Sequence, residues 1–398
     1  MTLEIVCQVV DNYGDIAVVW RLAQALVEDL STGHHGEWQV RILVDDLTAF
    51  RALNPSGNTG AVQVVPSLDA AALRYVPLPE VIIEAFGAPT PVERLEAFFI
   101  SGAAGSAQAK GLRALLLVHL EYLTAEAWSE SYHLLPSPLG KPGVERVFFV
   151  PGFRERTGGL VFTNASGVTN PQGLSPDLSR GDEDLLITLF SYEHDFENLW
   201  TDLGNHLRGT DLKARVQVFE GRQREGALAS WERVNASRPD LAPGLKRIAL
   251  QLVPFVDQDT YTALVNQADF NVVRGEESWV TAVLSGKPFL WHAYLQEENH
   301  QLVKVNAFLE VFEPRFTAEG SWGAEVFARL AQEFRAFNKR PEATPLRNSA
   351  TDPPAEHYAA FFEHHAVLSG VLGNWALELR KSHKLSRRLL DFLNGFQV

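Results

Sequence analysis

The chain carries a single cysteine, Cys7. One thiol excludes an intrachain disulfide and a cysteine-built zinc site. Its place in an apolar run reads as a small buried hydrophobe. Positive charge is scarce: 35 Lys and Arg stand against 49 Asp and Glu, a formal net charge of −14. Phosphate attraction needs a basic surface, so this balance argues against general nucleic-acid or anionic-membrane binding. No apolar stretch is long enough to span a bilayer. The start, Met1-Thr2-Leu3-Glu4, lacks the basic region of a secretory leader, and the expected compartment is the cytoplasm. The familiar phosphate loops are missing too. No G-x-G-x-x-G follows a strand pattern, and Gly286-Lys287 runs into Pro288 where a Walker loop has Ser or Thr. The absence of G-x-S-x-G weakens a hydrolase reading. The pairs His34-His35 and His364-His365 are chain neighbours that do not face one another on a helix, so they read as solvated histidines and no metal site is expected.

What is present is globular composition. Hydrophobic residues make up 46% and charged residues 21%, which excludes wholesale disorder. A length of 398 residues suits two domains of roughly 100–200 residues each. Residues 3–10 form an apolar, β-branched run and read as a buried strand. The turn cluster Asp11-Asn12-Tyr13-Gly14-Asp15 follows, and then Ile16, Val19, Trp20, Ala23, Leu26 and Leu30 recur at helical spacing. Residues 38–44, 62–65, 81–86 and 115–118 read as further strands. From Pro151 to about Asp184 the chain is rich in Gly, Ser, Asn and Pro with little periodicity, and reads as a linker. The alternation restarts with strands expected at 185–190, 216–219, 248–253, 270–273 and 289–291. Helices are expected at 322–337, 357–368 and 377–393.

Strands separated by helix-length segments argue for α/β domains with parallel sheets. The expected domains are residues 1–165, completed by a C-terminal helix at about 372–398, and residues 181–365. Ligands of such sheets bind beyond the carboxyl ends of the strands. Two such halves place that crevice between domains.

Three clusters sit at strand ends. In the first, Asp15 reads equally well as a helix cap and as a general base, with Asp11 as a supporting carboxylate. In the second, Phe270-Asn271-Val272-Val273-Arg274-Gly275-Glu276-Glu277-Ser278-Trp279 runs from a strand into a helix. The free N–H groups and positive dipole of a helix start suit a diphosphate. Ser278 adds a hydroxyl and Arg274 a positive charge. Glu276 and Glu277 would repel phosphate, and fit hydrogen bonding to hydroxyls or holding a cationic acceptor better. The third cluster is aromatic: Phe190 and Tyr192 at one strand end, Phe255 and Gln258 after another. A nucleobase stacks on such rings while an amide reads its edge. Aromatic core packing is the plainer reading of any one ring.

With these clusters assembled, the sequence resembles the bacterial protein-arginine rhamnosyltransferases that modify translation elongation factor P, the EarP type. The resemblance covers most of the chain to about Leu309. It is carried by Val10-Asp11-Asn12-Tyr13-Gly14-Asp15-Ile16 with Trp20-Arg21-Leu22-Ala23, and by Val44-Asp45-Asp46-Leu47. Val81-Ile82-Ile83-Glu84-Ala85-Phe86, Leu120-Glu121-Tyr122-Leu123-Thr124-Ala125-Glu126 and Leu135-Pro136-Ser137-Pro138 continue it. Pro151-Gly152-Phe153, Thr157-Gly158-Gly159-Leu160, Val273-Arg274-Gly275-Glu276 and Gly286-Lys287-Pro288-Phe289 with Gln296-Glu297 complete the order. Gly275-Glu276-Glu277-Ser278-Trp279 departs from the family's usual Gly-Glu-Asp-Ser-Phe, and Tyr13 stands where Phe is usual.

The resemblance implies the GT-B glycosyltransferase fold, with two facing Rossmann-like domains and an inter-domain cleft. It implies an inverting transferase with dTDP-β-L-rhamnose as donor, no cofactor, and one arginine of elongation factor P as acceptor. The first domain would hold the acceptor and the second the nucleotide sugar. The catalytic aspartate of the family corresponds to Asp15, with Asp11 beside it and Glu276 reaching from the second domain. The donor-binding positions fall on Phe190, Tyr192, Phe255, Gln258, Glu277 and Ser278, with Arg274 adjacent. The alternatives are a nucleotide-sugar epimerase and a nucleotide-sugar-binding protein on the same scaffold.

Overall fold

A computed structural model describes residues 1–10, 13–32, 38–69, 73, 76–103, 115–139, 143–164, 178–318, 320–339 and 357–395, for 99–103 the backbone alone. The chain divides into two compact units. One comprises Met1–Ala165 with Lys381–Val398, the other Ser166–Arg380.

The first unit is built on six parallel strands: β1 (Thr2–Cys7), β2 (Gln39–Val44), β3 (Val62–Pro66), β4 (Val81–Ala85), β5 (Leu115–Leu120) and β6 (Val144–Phe149). Their order is β3-β2-β1-β4-β5-β6, so the direction of winding reverses between β1 and β4. That reversal is the switch point at which doubly wound sheets leave a crevice for ligands. β1 is buried along its whole length, as a strand covered on both faces must be. It ends at Cys7, three residues short of the expected strand. Gln8, Val9 and Val10 belong instead to the loop that leads to the first helix, Gly14–Thr32. Ile16, Val19, Trp20, Ala23 and Leu26 form the buried stripe of that helix, packed on the sheet with Leu385, Leu389, Leu390 and Leu393. Deep in this unit Glu4 holds two arginines, through Arg41 Nη1 at 2.8 Å and Arg94 Nη2 at 2.7 Å.

β6 is absent from the strands expected above. Its burial alternates, with Glu145 exposed between Val144 and Val147. A half-exposed edge strand lacks the continuous apolar run that marks its neighbours. The stretch read as a linker also begins too early. Phe153, Leu160 and Phe162 are buried and Thr157 is enclosed, so residues 151–162 belong to the body of the first unit. Residues 165–177 lie outside the described part.

The second unit carries five parallel strands: β7 (Leu185–Leu189), β8 (Ala214–Phe219), β9 (Ile248–Val253), β10 (Phe270–Arg274) and β11 (Phe289–His292). Their order is β11-β10-β7-β8-β9, which places the switch point between β7 and β10. The helix expected over 377–393 is two helices, His365–Ser382 and Leu385–Gly395. The break occurs where Leu160 N–H donates to the His383 carbonyl at 2.6 Å and Leu385 N–H donates to the Leu160 carbonyl at 2.8 Å. The last helix therefore enters the first unit from a strand-like crossing instead of continuing the previous helix.

Candidate active site

At the switch point of the first sheet, Asp15 is the second residue of the helix after β1, with 4% of its surface exposed. It is not the helix cap. Its Oδ2 accepts from Val10 N–H at 3.0 Å, and the Tyr122 hydroxyl donates to Oδ1 at 3.4 Å. The loop leaving β1 is tied down a second time by Val9 N–H, which donates to Asp45 Oδ1 at 2.9 Å. Burial, followed by the charges of Asp15 and Asp45, pushes the Cys7 thiol far above its ordinary value. Cys7 is therefore a protonated core residue and no nucleophile. Asp11 lies outside the described residues.

Two further groups come from the ends of β4 and β5. Phe86 follows β4 with φ +56°, and Gly87 follows with φ +78°. Such a conformation costs a bulky residue on the order of 1–3 kcal/mol and persists only where its surroundings impose it. Phe86 N–H donates to the Leu120 carbonyl at 2.8 Å, and its ring stacks on Tyr122 with centroids 4.6 Å apart. His119, near the end of β5, lies between Glu121, 3.4 Å from Nε2, and Glu84, 3.9 Å from Nδ1. Glu121 and Glu84 raise the His119 pKa to about 9, against the opposing effect of burial. Burial also opposes ionisation of Glu84, but His119 and the Thr90 hydroxyl and N–H outweigh it, leaving that carboxyl below its ordinary value.

At the switch point of the second sheet, β7 delivers Phe190 and Tyr192 and β10 delivers Arg274, Gly275 and Glu276. The Arg274 guanidinium carbon lies 4.3 Å from the Phe190 centroid and 5.1 Å from that of Tyr192, and its Nη1 donates to the Ser191 carbonyl at 3.0 Å. Phe190 also meets Phe219 and Tyr261 edge-on. Both rings therefore seat Arg274 as well as facing the strand ends. Phe255, after β9, is 47% exposed. Its N–H is held by Glu220 Oε2 at 3.0 Å.

Gly275 has φ +65°, which lets the chain turn at once from β10 into the helix Glu277–Ser285. Glu276 stands at the N-cap without a side-chain cap. The Ser278 hydroxyl bonds back to the Arg274 carbonyl and accepts from Arg274 N–H at 3.2 Å, closing the turn. Glu277 Oε1 accepts from Gln258 Nε2 at 3.1 Å, so the longer side chain at this position is joined to the amide expected to read the base. Trp279 stacks on Trp291 at 3.7 Å, and Trp291 Nε1 donates to the Gly275 carbonyl at 2.9 Å. The larger ring at 279 thus props the turn from below. Behind the site, His292 is pushed down to about 3 by burial, helped by His194 and Arg274, and is a neutral imidazole. Burial and the Glu277 charge keep the Tyr261 hydroxyl protonated.

Tyr122, Phe86 and the His119 ion pairs were not among the site residues expected from sequence. The available signal was positional: Phe86-Gly87 and Glu121-Tyr122 each follow the carboxyl end of a strand that flanks the switch point. Among the described residues, no group of three or more His, Cys, Asp or Glu side chains is placed to hold a metal ion.

Comparison with known proteins adds family membership to this geometry. The family model described as Elongation-Factor P (EF-P) rhamnosyltransferase EarP matches residues 3–394. A protein-arginine rhamnosyltransferase of Pseudomonas putida is 38% identical over 327 residues, covering 77% of this chain and 80% of its own length. One from Shewanella oneidensis is 31% identical over 386 residues, covering 89% and 93%. A solved structure described as the structural basis for EarP-mediated arginine glycosylation of translation elongation factor EF-P aligns over 99% of both chains at 22% identity, with a TM-score of 0.56. That likeness supports the same GT-B-type fold of two Rossmann-like units.

Proposed function

The chain belongs to the EarP family of elongation-factor P rhamnosyltransferases, and from that premise we propose that it uses Asp15 as the base in moving rhamnose from dTDP-β-L-rhamnose to an arginine of elongation factor P. The observation that carries the assignment is the Asp15 carboxylate itself. It is buried at a switch point, held by Val10 N–H, and placed just past β1.

Arginine is a poor nucleophile because its guanidinium is delocalised and stays protonated. Carboxylates that grip it localise the charge and aim one nitrogen at the anomeric carbon. Asp11 and Glu276 take this orienting role. As the C–N bond forms, the anomeric C–O bond breaks and its electron pair leaves with the nucleoside diphosphate. The attacking nitrogen becomes acidic as the bond develops, and its proton passes to Asp15. In-line displacement inverts the anomeric centre.

The donor belongs to the second unit. Phe255 offers the open ring for the thymine base, with Gln258 and Glu277 as a joined hydrogen-bonding pair. The N–H groups at the start of the helix Glu277–Ser285 take the diphosphate, and Arg274, steadied by Phe190 and Tyr192, supplies positive charge for the leaving group. Ser278 contributes by closing the turn that presents those amides.

The test is the intact mass of elongation factor P after incubation with the protein and dTDP-rhamnose. A gain of one deoxyhexose, lost when the acceptor arginine is replaced by lysine, is the expected result. Donor turnover without acceptor would indicate an epimerase or hydrolase, and binding without turnover a sensor.

A further inference from the structure

Tyr122 is far from Asp15 in sequence, separated by 107 residues, yet its hydroxyl reaches the Asp15 carboxylate. Three features fix where that hydroxyl stands. The ring lies flat on Phe86, with 18° between planes. Phe86 is itself held in a left-handed conformation and bonded to the Leu120 carbonyl. Glu121 N–H donates to the Phe149 carbonyl at 3.0 Å, so the segment carrying Tyr122 continues the alignment of β5 with β6 past the last strand residue. On the same stretch, His119 ties β5 to Glu84 of β4. Leu120, between His119 and Glu121, points to the opposite face and packs with the first helix. The end of β5 is therefore braced on one face by charge and on the other by the core.

We propose that Tyr122 is a positioning residue that orients the Asp15 carboxylate for proton abstraction. Val10 N–H grips Oδ2 from the chain entering the helix, and the Tyr122 hydroxyl grips Oδ1 from across the switch point. Together they fix the plane of the carboxylate. A donor on each oxygen restrains rotation about χ2, which is otherwise a broad, roughly two-fold torsion. The Tyr122 hydroxyl keeps its own proton throughout. The proton released by the guanidinium nitrogen goes to Asp15, as in the reaction above, and this role rests on that base assignment.

Tyr122→Phe keeps the ring on Phe86 and removes the hydroxyl alone. With both substrates saturating, kcat falls about tenfold, the scale of one hydrogen bond to a charged group. The KM values for donor and acceptor protein stay at the wild-type level, because the lost contact serves the base and not substrate binding. A ring needed only for packing would lower the melting temperature and leave kcat per folded enzyme at the wild-type level. Active-site titration with the folded fraction from circular dichroism sets the enzyme concentration, so kcat decides the matter even if the variant melts earlier.

Wild-type kcat per folded enzyme overturns the proposal. So does a raised KM for elongation factor P with kcat intact, which would make Tyr122 a docking residue. Because the two side chains act as a unit, Tyr122→Phe adds no further loss to the residual turnover of Asp15→Asn, and full additivity would also overturn it. The base assignment fails separately, if Asp15→Asn turns over normally. An inactive Asp15→Asn beside an unaffected Tyr122→Phe removes only the role given to Tyr122.

Discussion

Asp15→Asn keeps the shape of the side chain and its contact with Val10 N–H, and removes the proton acceptor. Transfer to elongation factor P falls by about 10²–10⁴-fold, the usual contribution of a positioned base, while titration calorimetry finds donor affinity unchanged. Phe255→Ala has the reverse signature. An exposed ring contributes little to folding, so the melting temperature stays, while dTDP binding weakens by roughly 1–3 kcal/mol, the scale of base–aromatic stacking. If Phe255→Ala binds dTDP like the wild type, the base stacks elsewhere. Arg274 was expected as a bare charge and turns out to be packed on Phe190 and Tyr192, so Tyr192→Ala loosens the cation as well as the surface around it.

His119 makes a prediction about pH. Its folded pKa, about 9, lies above the ordinary 6.5. The stability it contributes is therefore fully present below pH 6.5 and lost as pH rises through about 9. Glu84 and Glu121 are lowered, the latter chiefly by His119, so their contribution is present above the ordinary carboxylate value and lost in acid. Arg146 on β6 also acts on Glu84, and it stays charged throughout this range. The difference in urea midpoint between wild type and His119→Gln is thus largest near pH 6 and vanishes by about pH 10. A difference that stays constant from pH 6 to 10 would mean that His119 is neutral in the folded protein.

The last helix, Leu385–Gly395, shows what an element far along the chain does for the site. Its leucines complete the core under the first helix, and Lys384, just before it, is 2% exposed. Lys384 Nζ lies 2.6 Å from Glu28 and 2.9 Å from Asp29, both near the end of the helix Gly14–Thr32 that carries Asp15. Asp29 also accepts from the Ser386 hydroxyl at 2.6 Å. Lys384→Ala leaves buried Asp29 without its main counter-charge and costs about 3 kcal/mol in guanidinium unfolding, at the low end for a broken buried pair because Arg387 remains 3.3 Å away. A chain ending at Arg380 loses the whole element and with it the stability of the first unit. The turn between β10 and the Glu277 helix is supported locally instead, by the Trp279–Trp291 stack and the Trp291 bond to Gly275.

Each of the two units has its own sheet. Every proposed donor contact lies in Ser166–Arg380, which predicts that residues 166–380 expressed alone bind dTDP with the affinity of the full chain and transfer no rhamnose. Calorimetry on that fragment checks it, and a large loss of affinity would place part of the donor site in the first unit.

Of the eleven strands among the described residues, ten were legible from apolar, β-branched runs, which leave a local mark in the sequence. β6 escaped because Glu145 and Arg146 interrupt its apolar run. Asp15, Arg274 and Glu276 were legible as candidates because each stands at or just past the carboxyl end of a strand, where such folds bind ligands. Strand order was not. Parallel partners are joined through long crossovers, and nothing local in β1 or β7 states that β4 and β10 lie beside them. The β1–β4 and β4–β5 pairings bring Tyr122 to Asp15, the β7–β10 pairing sets Arg274 against Phe190 and Tyr192, and the crossing of Lys384 beside Leu160 carries it to Asp29. Apolar period and turn chemistry are properties of neighbouring residues, and they placed the candidate side chains at strand ends. The partners of those side chains depend on contacts between distant parts of the chain, which only the folded sheet makes.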